Sequence, residues 1–170
     1  DFARRLALMM QELERLIDNC NSPPANILVV EDDPIAAQVL ANHLEAPTRR
    51  IFLARSMLEA ESVLADHGVS LVLLDLLLPD SDGRNFLVEL RRRPEMDGVP
   101  VIVNSADTSA ATRVECYTLG ADEFFHKPIS PAVLSAAVTS KLQRAREIFL
   151  QSRIDKLTGL GNRTAVIEAF

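Results

Sequence analysis

Leu71-Val-Leu-Leu-Asp-Leu-Leu-Leu-Pro79 is an apolar run broken once, by Asp75. It does not alternate between apolar and polar residues, as the strand of a half-exposed sheet would. Unbroken apolar runs of this length mark strands covered on both faces, which are strands of parallel sheets. Working outward, Pro79 to Gly83 reads as a loop. Upstream, Ile27 to Val30 is a second such run, closed by Glu31, Asp32, Asp33 and Pro34. Pro34 suits the first turn of a helix reaching about Glu45, with Asp33 as its cap. Ile51 to Ala54 is a weaker strand, and Ser56 can cap a helix that stops before Gly68. Downstream, a helix to Arg92, a strand over Val99 to Val103 and a helix over Thr108 to Leu119 are predicted. Then come a short strand over Glu123 to Phe125 and a helix from near Ser130 and Pro131. Strands that each lead into a helix predict an α/β fold, a doubly wound five-stranded parallel sheet with helices on both faces.

In such sheets ligands bind beyond the carboxyl ends of the strands. There this sequence places Glu31, Asp32 and Asp33, then Asp75, then Ser105 and Ala106, then Lys127 and Pro128. Carboxylates packed together raise one another's pKa, and a hard divalent cation with oxygen ligands relieves the repulsion, Mg²⁺ being the natural candidate. A carboxylate beside Mg²⁺ can attack phosphorus and become an aspartyl phosphate. A hydroxyl and an ammonium can then hold the phosphoryl oxygens. Each residue has an ordinary explanation when taken alone. Asp33, before Pro34, is better read as a helix cap, Ser105 would pass as another cap, and Lys127 would pass as a surface lysine. Asp75 has no such explanation, because it interrupts an apolar run. The set is specific because its members fall at successive strand ends that one pocket requires.

The stretches Ile27-Leu-Val-Val-Glu-Asp-Asp-Pro34, Asp75-Leu-Leu-Leu-Pro-Asp-Ser-Asp-Gly83, Val101-Ile-Val-Asn-Ser-Ala106 and Gly120-Ala-Asp-Glu-Phe-Phe-His-Lys-Pro128 together resemble the receiver domains of two-component response regulators. The similarity covers residues 26–146. It implies a flavodoxin-like sheet of order 2-1-3-4-5, with Asp75 as the phosphoacceptor. By the same resemblance Asp32 and Asp75 bind Mg²⁺ directly, Glu31 binds it through water, and the backbone carbonyl of Leu77 supplies a further oxygen. Ser105 and Lys127 contact the phosphoryl group, and Ser105 with Phe124 forms the switch. Phe124 stands where tyrosine is frequent, which keeps the ring and loses the hydroxyl. Serine at 105 replaces threonine, and glutamate at 31 replaces aspartate. A sensor histidine kinase or phosphotransfer protein is the implied partner.

Both ends of the chain extend past this unit. In residues 1–22, Phe2, Leu6, Met9, Leu13, Leu16 and Cys20 recur at steps of four and three, the seam of a coiled coil. The pattern is already under way at Phe2, which predicts helix upstream, and Asn21 to Pro24 ends it. Residues 147–170 continue the last helix, where Leu142, Ala145, Phe149 and Ser152 give a weak seam. Asp155-Lys-Leu-Thr-Gly-Leu-Gly-Asn-Arg163 then resembles the opening of diguanylate cyclase domains of the GGDEF family. The signature that names that family occurs nowhere in the 170 residues, so no cyclase activity is expected of this chain. The resemblance implies a response regulator with a cyclic di-GMP-forming output and a homodimer, since two cyclase domains must face each other.

A net charge of −6 argues against a broad nucleic-acid surface. The basic run Arg91-Arg92-Arg93 precedes Pro94 and reads as a solvated helix end. The two cysteines and three histidines show no metal spacing. No secretory signal or membrane-length apolar run is present, so a cytoplasmic protein without membrane insertion is expected. Two other classes compete with the receiver reading. A Mg²⁺-dependent aspartyl-phosphate phosphatase or phosphotransferase would need a second aspartate two residues after the nucleophile, where Leu77 stands. A phosphorylation-independent dimerisation module would be expected to have lost one of the pocket residues.

Overall fold

The computed structural model describes residues 2–21 and 23–158. Helix α1 (Phe2–Asn21) precedes β1 (Ala25–Val30), α2 (Pro34–Leu44), β2 (Arg49–Ala54), α3 (Met57–Asp66), β3 (Leu71–Leu74) and α4 (Gly83–Arg91). A short 3₁₀ turn (Pro94–Met96), β4 (Val101–Ser105), α5 (Ala110–Thr118), β5 (Glu123–His126) and α6 (Pro131–Thr158) complete the order. The strands form one sheet of order β2-β1-β3-β4-β5, and every pairing is parallel. This is the flavodoxin-like order that the resemblance implies.

Strand side chains alternate between two cores. Leu28, Val30, Val72, Leu74 and Val103 pack with Phe86, Leu87 and Leu90 of α4 and Cys116 of α5. Ile27, Val29, Leu71, Leu73 and Ile102 pack on the other face with Leu40 and Leu44 of α2 and Leu134 and Val138 of α6. Burying an aliphatic side chain of this size contributes about 1.5–3 kcal/mol. The central strands therefore hold the sheet, and their carboxyl ends are rigid platforms for the residues beyond them.

The expected elements all form, with local corrections. Strand β4 lies two residues later than the predicted Val99 to Val103. Val99 is held in a turn by its amide, which donates to the Met96 carbonyl. The polar Asn104 and Ser105 continue the ladder opposite Phe125 and His126. The arginine run is not simply solvated. Arg91 donates to the carbonyls of Gly120 (2.9 Å) and Val99 (2.8 Å) and pairs with Asp122 at 2.8 Å. Arg93 pairs with Glu61 of α3. These arginines find partners because α4 ends against the turns that enter β4 and β5, where carbonyls converge. Asp33 and Ser56 cap α2 and α3 as expected.

At the ends, Phe2, Leu6, Met9 and Leu13 of α1 are exposed, and so are Leu8 and Met10. Leu142 packs against the α2/α6 core, so the seam expected on the last helix begins inside that core. Further along α6, Ile148, Phe149 and Leu150 are exposed. The side chains of Leu16, Cys20 and Ser152, and the stretch 159–163 of the cyclase-like motif, lie outside the described residues. No helix among the described residues is long and apolar enough to cross a membrane.

Candidate metal and phosphoryl site

The end of β1 carries Glu31, which is buried, and the end of β3 carries Asp75, which is buried too. The Asp75 amide donates to the Val30 carbonyl at 2.9 Å, so the main chain of β1 sets the height of Asp75 above the sheet. Asp32 is exposed beside them. One carboxylate oxygen from each of Glu31, Asp32 and Asp75 lies within 4.8 Å of the others. Asp33, next in sequence, is turned away, and its Oδ1 accepts from the amides of Ile35 (2.7 Å) and Ala36 (3.1 Å).

Lys127 lies just past β5, and its own amide donates to the Ser105 carbonyl at 2.9 Å, continuing the sheet ladder. The Lys127–Pro128 peptide bond is cis. The Lys127 ammonium donates to Glu31 Oε2 and to Asp75 Oδ2, each at 2.6 Å. Burial pushes the Glu31 carboxyl up, and outweighs the pull of Lys127 in the other direction. Burial alone would push Lys127 down, but its bonds to Asp75 and Glu31 reverse this and hold it above its ordinary value.

Ser105 is the last residue of β4 and is fully buried, and its Oγ accepts from the Asp107 amide at 3.2 Å. Asp107 anchors the loop beyond, accepting from the Ser109 amide (2.8 Å) and the Thr112 hydroxyl (2.6 Å). These bonds, the Thr112 hydroxyl first, hold the Asp107 carboxyl below the usual carboxylate range. Phe124 is buried, with the Arg113 guanidinium 5.7 Å from its ring centre and His126 edge-on at 5.3 Å. On the other side of Asp75, Leu77 donates its amide to Asp75 Oδ1 at 3.2 Å and leaves its side chain in solvent. Gly83 opens α4 directly against Asp75. A Cβ there would fall 2.7 Å from Leu76 Cα and closer still to the Asp75 carbonyl oxygen.

Glu31, Asp32, Asp75, Leu77, Ser105 and Lys127 thus lie at the carboxyl ends of the strands, whereas Phe124 sits within β5, opposite Val103 of β4. The three carboxylates offer only hard oxygen donors, with Asp32 open to solvent, a set that fits a small divalent cation. Sequence reading missed two members of the neighbourhood. Asp80 reaches across to the start of α3, and Asn104 lines a depression with Glu31, Ala36, Val39, Leu40, Lys127 and Pro128. Asn104 follows the apolar run of β4 and reads in sequence as the start of a loop. Asp80 carries no local signal.

The family described as "Response regulator receiver domain" matches residues 27–139. Among curated proteins, the chain is 36% identical over 123 residues to the KDP operon transcriptional regulatory protein KdpE of Escherichia coli (strain K12), covering 70% of this chain and 52% of that one. It is 32% identical over 122 residues to response regulator Rre1 of Synechocystis, covering 71% and 53%. The chain spans about half the length of the curated relatives it matches. Among solved structures, it resembles a CheY-like response regulator receiver domain protein from Methanospirillum hungatei (TM-score 0.66, 26% identity, 73% of this chain and 98% of that one). It also resembles the signal receiver domain of a signal transduction histidine kinase from Syntrophus aciditrophicus (TM-score 0.64, 30% identity, 70% and 90%). With a matching family profile over most of its length, the same sheet order and an acidic cluster at the strand ends, this chain belongs to the receiver domains of response regulators.

Proposed function

We propose that Asp75 is the phosphoacceptor of a Mg²⁺-dependent receiver spanning residues 26–146. The observation that carries this reading is the Lys127 ammonium bridging two buried carboxylates at 2.6 Å each, beside the exposed Asp32. Glu31, Asp32, Asp75 and the Leu77 carbonyl would hold Mg²⁺, which neutralises negative charge on the phosphoryl oxygens when bound. Asp75 Oδ attacks the phosphorus of a phosphohistidine on a histidine kinase or phosphotransfer protein. The P–N bond breaks, and its electron pair leaves with the imidazole. Lys127, released as the Asp75 carboxylate loses its negative charge in becoming an acyl phosphate, turns to the phosphoryl oxygens together with the Ser105 hydroxyl. Ser105 and Phe124 then form the switch.

Incubation with acetyl phosphate and Mg²⁺ tests the reading. The protein is expected to gain one phosphoryl group, which Asp75→Asn and chelation both abolish. Modification that survives either change overturns the assignment. A phosphatase acting on external substrates is the weaker alternative, since Leu77 stands where its acid/base aspartate is needed. A dimerisation module with an idle pocket is weaker still, because the pocket residues are intact and mutually bonded.

The output is a separate proposal. The resemblance of 155–163 to the entry of diguanylate cyclase domains, beginning within the last turn of α6, favours a cyclase. KdpE is a transcriptional regulator by name, and a DNA-binding output is the competing reading. Turnover of GTP to a cyclic dinucleotide by the whole natural protein decides between them. A cyclase output requires two copies, and the exposed apolar residues of α1 and of the far part of α6 supply surface for a homodimer. The cytoplasm, where the kinases act, is the proposed location.

A further inference from the structure

Asn104 is 3% exposed, and its Oδ1 is buried without a hydrogen-bond partner among the described residues. An unpaired buried carbonyl costs stability, so its presence next to a reactive site needs a reason. Its position in β4 gives its direction. Ile102, two residues earlier on the same face, packs with Leu134 and Val138, so Asn104 points toward the α2/α6 side of the sheet. There it lines a depression whose polar members are Glu31, Asn104 and Lys127, and whose other walls are Ala36, Val39, Leu40 and Pro128. Lys127 is the group in this depression with a proton to spare. An ammonium has three N–H donors, and two are committed to Glu31 Oε2 and Asp75 Oδ2.

Phosphorylation of Asp75 changes that allocation. Asp75 Oδ2 and Glu31 Oε2, which hold the ammonium, belong to the carboxylates that an acyl-phosphate bond or a cation would engage. When they are engaged, the ammonium needs another acceptor to stay over the phosphoryl group. Alanine, valine, leucine and proline walls offer none, and the Asn104 carbonyl does. We propose that Asn104 is a positioning residue for Lys127, taking the ammonium's third N–H and holding it over the phosphoryl oxygens as Asp75 is phosphorylated. This rests on Asp75 being the phosphoacceptor and deepens that reading. Asn104 touches no reacting atom and acts only through Lys127.

The test uses acetyl phosphate with Mg²⁺ on the whole chain, in a two-by-two set of Asn104→Leu and Lys127→Ala. Losing one hydrogen bond to a charged group lowers a rate by about tenfold, so Asn104→Leu is expected to slow phosphorylation by about that factor. The Mg²⁺ concentration at half-effect should stay the same. Thermal stability should not fall, because leucine fills the space and removes the unpaired carbonyl. In the Lys127→Ala background the same substitution should have no effect. Asn104→Thr keeps an acceptor on a residue suited to a strand and is expected to recover most of the rate. A readout free of turnover is the Asn104 side-chain amide NMR signal, which should move on adding beryllofluoride in the wild type and stay fixed in Lys127→Ala. A wild-type rate in Asn104→Leu, a loss undiminished in Lys127→Ala, or an amide signal that ignores beryllofluoride overturns the role of Asn104. A wild-type protein that takes no phosphoryl group overturns the phosphoacceptor reading itself, and this role with it.

Discussion

Asp80, in the loop after β3, caps the helix that begins at Met57. Its Oδ1 accepts from the Met57 amide at 3.0 Å and its Oδ2 from the Leu58 amide at 3.1 Å. The loop beyond Asp75 is therefore tied to the entrance of α3, which Ser56 caps from its own side through the Glu59 amide at 3.2 Å. One carboxylate satisfies two amides that the helix itself leaves open.

Asp80→Ala should release this tie. Amide hydrogen exchange at Met57 and Leu58 is expected to speed up, while exchange in β1 and β3 stays slow. The bonds to the two amides, Met57 first, hold the Asp80 carboxyl below its ordinary value. Such a group contributes stability above about pH 3.8 and loses it as pH falls through its folded value. The wild type should lose more protection at these amides between pH 5 and pH 3 than the alanine variant does, and equal losses would place the cap elsewhere.

Gly83→Ala should be costly although the residue lies at a helix start. The added methyl meets the main chain of Asp75 and Leu76, neither of which can rotate away. Overpacking of this kind costs roughly 1–3 kcal/mol, measurable by urea denaturation. Because the clash falls on the Asp75 backbone, phosphorylation by acetyl phosphate should slow as well.

Glu31→Gln should stabilise the metal-free protein near neutral pH. The folded state raises the Glu31 pKa above 4.5, chiefly by burial, so its ionisation opposes folding. The folded state binds the proton more tightly than the unfolded chain, so the wild type loses stability as pH rises from 4.5 through the folded value. Urea midpoints in chelator at pH 4 and pH 7 should show the glutamine advantage growing with pH. A glutamine variant less stable than wild type at pH 7 would show that the Lys127 pairing outweighs burial.

The switch should be visible at Asp107. Its amide donates to Ser105 Oγ at 3.2 Å, and a phosphoryl oxygen that accepts a hydrogen bond from the Ser105 hydroxyl draws Oγ inward, away from that amide. Beryllofluoride is expected to shift the Asp107 amide signal and the Phe124 ring signals together, and Ser105→Ala should abolish both shifts. Shifts confined to Asp75 and its neighbours would remove Ser105 and Phe124 as the route.

A dimer through the end helices should be weak and concentration-dependent, and tightened by beryllofluoride. Sedimentation equilibrium checks both parts. A monomer at all concentrations refutes the dimer, and an affinity unmoved by the mimic removes dimerisation as the switch.

The sheet and its acidic edge were legible because both are written in local pattern. Covered parallel strands need unbroken apolar runs, and the residues after them fall on one edge whatever the loops do. Asp75 stood out by interrupting such a run. The end of β4 was not legible, because Asn104 and Ser105 look like the start of a loop and are held in the ladder only by Phe125 and His126. The arginines at the end of α4 misled for a similar reason. Their partners at Glu61, Gly120 and Asp122 are distant in sequence and meet them only after the sheet is built. The Asp80 cap and the Asn104 carbonyl belong to the same class, since tertiary geometry alone gives them their neighbours.

Helix α6 is one continuous element whose first turns are embedded between sheet and α2 through Leu134, Val138 and Leu142, and which continues to Thr158. It is a lever with its fulcrum in the domain. At about 1.5 Å per residue, the arm beyond Leu142 is roughly 24 Å long, so a tilt of about 5° at the fulcrum carries its tip about 2 Å. Because a helix turns about 100° per residue, the direction in which the tip faces depends on arm length. Inserting one heptad into the arm returns the tip to nearly the same bearing, about 20° away, whereas inserting two residues turns it by about 200°, close to half a revolution.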